Sequence, residues 1–146
     1  GPGYLWTARR TYPLLGQTLP ERQVSDLLAA VPIVRQQSSL QCAAVYGSGH
    51  TAPLALYAAL LDETVPEVIL ANCPTSHEDS TTPEFLGVLR VGDLPHNLSL
   101  LYPRAITFIG EMPSEFAEVR ELYQRLGHAD RFRVLPSPQA WRPAER

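Results

Sequence analysis

An α/β fold is the expectation for this chain, a three-layer αβα sandwich around a mostly parallel sheet of about four strands. Three observations carry it. Apolar runs too short for helices recur four times, separated by segments of helical periodicity. Such alternation implies right-handed βαβ crossovers and a parallel sheet with helices against its faces. The length of 146 residues, 45% apolar and 18% charged, fits one domain. A domain of that size buries about 68–70% of its unfolded surface.

The first periodic segment is Glu21 to Gln36, entered through Pro20, with Val24, Leu27, Leu28 and Val31 at helical spacing and Pro32 predicting a kink or early stop. Gln41 to Tyr46 is an apolar run closed by a glycine turn, which suits a buried parallel strand. Thr51 to Leu61 turns helical, and Val68 to Ala71 is a second buried strand. Cys73 to His96, rich in Pro, Ser, Thr, Asp and Gly, reads as a long loop of the kind that carries function or covers something. A short helix from Leu94 to Leu101 leads to a strand at Ala105–Ile109. Ser114 is expected to cap a helix that stops at Leu126-Gly127, and Phe132 to Leu135 is the last strand.

Composition removes several classes of function. No apolar run reaches the roughly 18 residues of a membrane span. All twelve basic residues are Arg, interleaved with 15 acids, so no basic stripe marks a nucleic-acid partner. Cys42 and Cys73 fit neither a zinc site nor a disulfide framework. Placed at opposite ends of neighbouring strands, they would lie more than ~12 Å apart, beyond disulfide reach. Gly1-Pro2 reads as the scar of a cleaved tag, leaving 4–146 as one domain. Trp6 and Trp141 are expected to anchor the termini or cover a sheet edge.

In open α/β sheets ligands bind outside the carboxyl ends of the strands. The richest of these turns is Tyr46-Gly47-Ser48-Gly49-His50-Thr51-Ala52. Gly47-x-Gly49-x-x-Ala52 satisfies a dinucleotide fingerprint, yet Asn72 stands where the ribose-binding acid should be. The same turn fits a nucleophile elbow, in which small residues flank the nucleophile two places on each side. Registered on Gly47, the nucleophile position is Gly49, which has no side chain to attack with. Ser48 falls one place early.

In these stretches the chain resembles the acetyl xylan esterase-like bacterial branch of the α/β-hydrolase superfamily. The similar segments are Leu14 to Leu19, Val45 to Asp62, Gly87 to Pro95 and Tyr102-Pro-Arg104. The resemblance implies the C-terminal half of a hydrolase sheet, its fifth to eighth strands, with the preceding half supplied upstream. It also implies export to a secreted or periplasmic location. The departures bear on activity. An acid is expected after the third strand, where Glu111 stands in Gly110-Glu111-Met112. A histidine is expected after the last, where Pro136-Ser137-Pro138-Gln139 has none. Without a positioned base a serine hydroxyl is a poor nucleophile.

The leading expectation is therefore a non-catalytic α/β-hydrolase-like domain, a structural or binding module with a vestigial pocket at Gly47, Ser48, Gly49, His50, Asn72 and Glu111. The alternative is a carboxylesterase using Ser48, with His50, His77 or His96 as base and Glu111 orienting it. A third reading is nucleotide binding at Gly47 to Ala52. No pair of histidines has metal-ligand spacing, and neither metal nor cofactor is expected; each histidine reads as a solvated loop residue. Glu115, Glu118, Glu121, Arg120 and Arg125 read as a solvated helix face. The partner is expected to be the upstream half of the same polypeptide, another protein chain or a second copy. The edge strand with Ala43, Ala44 and Val45 is expected to be covered either by Tyr4 to Leu15 or in a symmetric dimer.

Overall fold

A computed structural model describes residues 2–37 and 44–143. The elements run α1 (Pro2–Thr11), α2 (Leu19–Gln37), β1 (Val45–Ser48), α3 (Ala52–Leu61), β2 (Glu67–Ala71), α4 (Leu94–Ser99), β3 (Ala105–Ile109), α5 (Ala117–Arg125) and β4 (Phe132–Leu135). The four strands are all parallel, in the order β1-β2-β3-β4. Helices stand between strands, so the α/β class read from the sequence holds and is consistent with the three-layer sandwich.

Right-handed crossovers that step one way along a sheet bring their helices to the same face. Val68, Leu70, Ile106, Phe108 and Phe132 share that face by strand alternation and pack against Ala55, Leu56 and Ala59 of α3, Leu94 and Leu98 of α4, and Val119 and Tyr123 of α5. Helix α2 lies outside α3, with Val24 against Leu54 and Ala58. The opposite face carries a smaller cluster of Ile69, Ala71 and Ile109, with Leu135 and Trp141 laid on it.

That second face also holds a buried polar hub. Glu67 is 1% exposed, and its Oε1 accepts from Thr107 Oγ1 (2.5 Å), Arg133 Nη2 (2.6 Å) and Trp141 Nε1 (3.0 Å). Arg133 Nε donates to Thr107 Oγ1 as well, and its Nη1 to the Arg142 carbonyl. One carboxylate thus ties β2, β3, β4 and the C-terminal segment together. Its Oε2 is buried with no hydrogen-bond partner.

Several local expectations are corrected. Helix α2 runs through Pro32 to Gln37 without stopping; Pro32 is exposed and brings no N–H to the helix. Strand β1 begins at Val45 and continues into Gly47-Ser48, two residues past the expected end; Gln41, Cys42 and Ala43 lie outside the described residues. Ser114 does not cap α5. It opens a 3-10 turn, its hydroxyl turns to Glu115 at 3.2 Å, and α5 starts three residues later. The C-terminal stop is as read, with Gly127 at φ +79° and the His128 N–H closing on the Tyr123 carbonyl.

The segment Tyr4 to Leu15 does not add to the sheet as an extended strand. It is helix α1 followed by a 3-10 turn (Tyr12–Leu15), so its backbone hydrogen bonds are spent internally. Trp6 is 61% exposed beneath Arg10, whereas Trp141 does tie down its end of the chain.

The hub predicts an asymmetry. Arg133→Met strands a buried carboxylate and should cost about 3–5 kcal/mol in urea denaturation, with Glu67→Gln/Arg133→Met recovering much of it. A loss below about 1 kcal/mol for the single variant would contradict the hub.

Candidate functional site

The strand register sets Ser48, Ala71, Ile109 and Leu135 side by side, so the next residues, Gly49, Asn72, Gly110 and Pro136, form a row along the carboxyl edge. The first three leave the sheet through left-handed backbone, at φ +55°, +47° and +83°. Asn tolerates that conformation better than other non-glycine residues. Neighbouring strands stand about 4.8 Å apart, so this row is a continuous crest.

Gly47 makes the first turn possible. A Cβ there would sit 2.4 Å from the Thr51 carbonyl oxygen and 2.7 Å from Ala52 Cα, so β1 and the start of α3 touch backbone to backbone. Thr51 Oγ1 accepts from the Ser48 N–H and donates to the Ser48 carbonyl, both at 2.9 Å. A Cβ on Gly49 would meet nothing within 4 Å. The open, positive-φ position at the top of the turn is therefore the one without a side chain.

The expected vestigial pocket is brought to one edge, but the esterase residues are not drawn into one cleft. His50 is exposed and lines a cleft of about 590 Å³ with the start of α2 and residues 80–84; Ser48, Asn72 and Glu111 are not among its walls. Asn72 and Glu111 are exposed on the crest. His96 lies on α4, exposed, in a separate cleft lined by Glu115, Glu118 and Glu121. After β4 the 3-10 turn Pro138–Ala140 follows, without a histidine.

His77 is not the solvated loop residue the sequence suggested. It is half-buried, packed between Tyr57 and Phe85. Asn97 Nδ2 donates to Tyr57 Oη at 2.9 Å, which leaves the phenol proton for His77 Nε2 at 2.7 Å. The His77 N–H donates to Asp93 Oδ1, which also caps α4 through the Leu94 N–H. Burial pushes Tyr57 up to about 12 and the buried Cys73 thiol likewise to about 12, so Cys73 is no nucleophile at neutral pH. Burial also holds the His77 imidazole below its usual value, against a weaker opposite pull from the Pro83 carbonyl and Asp93. Its Nδ1 is buried without a hydrogen bond of good geometry.

This cluster pins the long loop to α3, and a second anchor pins it to α2. Thr18 Oγ1 donates to the Glu84 carbonyl, while Glu21 accepts from the N–H groups of Thr18 and Leu86, each bond 2.6 Å. Thr18-x-x-Glu21 is a capping box that sequence reading could have found. Arg104 explains the Pro-Arg pair before β3: its Nη1 donates to the carbonyls of Ala59, Asp62 and Val65 at the end of α3. Among the described residues no group of three or more His, Cys, Asp or Glu side chains could hold a metal, and no helix is long and apolar enough to cross a membrane.

The chain matches no protein-family model, and neither the curated proteins nor the solved structures include a significant match to it.

The His77 cluster predicts a pH dependence. With its folded pKa below the unfolded value of about 6.5, the unfolded chain takes the proton first. The stabilisation is full above that pH and is lost as pH falls through the folded pKa. Between about pH 7.5 and about pH 5.5 the urea midpoint should drop more for the parent than for His77→Leu. Equal drops would refute the role.

Proposed function

We propose that this domain is a non-catalytic α/β-hydrolase-like module that serves a structural or binding role. The observation that carries the reading is the crest itself. Its geometry is that of a strand-to-helix elbow, with Gly47 packed on the helix and a left-handed residue on top, and that top residue is Gly49. Four parallel strands in sequential order agree with the hydrolase half-sheet that the sequence resembles.

The esterase alternative has less support. Ser48 sits beside the top position and its N–H is spent on Thr51, His77 is engaged with Tyr57, and the turn after β4 has no base. Acyl transfer needs nucleophile, base and orienting acid in mutual contact. Nucleotide binding at Gly47 to Ala52 keeps the tight glycine turn in its favour, but Asn72 brings no carboxylate for a ribose.

The test uses a serine-directed fluorophosphonate and a short-chain acyl ester. The expected result is no labelling of Ser48 and no hydrolysis above background, with Ser48→Ala identical to the parent. Labelling together with ester turnover abolished in Ser48→Ala would overturn the proposal.

A further inference from the structure

Exposed aliphatic side chains are ordinary when scattered, but here several line one cleft. Its volume is about 470 Å³, and it is bounded by Leu28 of α2, Leu60 and Leu61 of α3, Val88 and Val91 of the long loop, and Leu100 just past α4. Leu61, Val91 and Leu100 are 69%, 70% and 53% exposed. The one charged residue of the lining is Glu21, whose two oxygens each take a main-chain N–H, from Thr18 and Leu86. A cleft of this size, mostly aliphatic with few polar groups, is the usual form of a small-molecule site.

One of those polar groups is unsatisfied. Asn97 of α4 lines the same cleft and is only 2% exposed. Its Nδ2 donates to Tyr57 Oη at 2.9 Å and to the Gly92 carbonyl at 2.8 Å. That carbonyl can only accept, which fixes the end of the amide that carries nitrogen. Oδ1 accepts no hydrogen bond from any described residue, and it is not sealed off from the cleft. A buried acceptor left unpaired forfeits the bond that water gives it in the unfolded chain, and a donor carried by a ligand restores it.

We propose that this cleft binds a small neutral molecule with an apolar body and one hydrogen-bond donor, an alcohol, phenol or amide whose proton goes to Asn97 Oδ1. The aliphatic lining takes the body. A carboxylate brings no proton for Oδ1 and meets Glu21, while an ammonium would be stripped of water for a single neutral oxygen. A protein surface laid across the exposed leucines would leave the buried acceptor unpaired. The proposal does not rest on how the crest is read, because Gly49, Asn72 and Gly110 are not among the cleft's walls.

The experiment titrates the whole ¹⁵N-labelled chain with 4-butylphenol, 4-butylanisole, 4-butylbenzoate and 4-butylbenzylamine at neutral pH. The phenol should shift the main-chain amides of residues 86–91 and 97–100 and the side-chain amide of Asn97. The anisole has the same body and no proton to give, and should bind about five-fold or more weakly. Neither ion should match the phenol. Leu61→Arg, its fold verified by circular dichroism, should weaken phenol binding about ten-fold, while Leu126→Arg, an exposed leucine outside the cleft, should bind as the parent does. No shifts at about millimolar phenol, an anisole or an ion that binds as well, or equal binding by the two arginine variants would overturn the proposal. So would a dimer in sedimentation whose interface buries Leu61, Val91 and Leu100.

Discussion

Gly47 allows two backbones to touch where side chains would hold them apart. The atoms a methyl would strike there, the Thr51 oxygen and Ala52 Cα, are both main chain, so no rotamer change relieves the overlap. That contact lets α3 begin with only three residues between it and β1 and brings its alanine face onto the sheet. With α3 seated, the register of β1 on β2 follows, and with it the row of Gly49, Asn72 and Gly110 along the carboxyl edge.

The remaining polar groups fasten segments to one another. Glu67 collects donors from β3, β4 and the C-terminal segment on the thinly covered face. The pair Tyr57 and His77, with Thr18 and Glu21, holds the long connection between β2 and α4 against the two helices it crosses. Burial moves the Tyr57 phenol and the Cys73 thiol still further above neutral pH, and neutral groups suit an interior that holds a loop. A site poised for acid–base chemistry would instead bring a group near neutral pKa against an open, dry pocket.

Much of this was legible in the sequence because hydrophobic runs report burial directly. β3 and β4 lie where their apolar runs do, and the turn at Gly47 to Ala52 was singled out from its small residues. The end of β1 was misread because glycine was counted as turn, whereas a strand glycine also marks close backbone approach. The helix of Pro2 to Thr11 was missed because it has little periodic signal. Glu67 and His77 escaped for a different reason. Their partners Arg133 and Tyr57 are 66 and 20 residues away, and only the sheet register and the folded loop bring them together. Alternation alone places Glu67, Thr107 and Arg133 on one face once the register is known.

The most direct measurement compares the urea stability of Gly47→Ala with that of Gly49→Ala. At Gly49 the obstacle is only left-handed backbone in open space, a cost of about 1 kcal/mol. At Gly47 it is overlap with backbone atoms, which should cost at least about 1–3 kcal/mol and exceed the Gly49 effect. A Gly47→Ala variant as stable as the parent, or less affected than Gly49→Ala, would contradict a turn built on that contact.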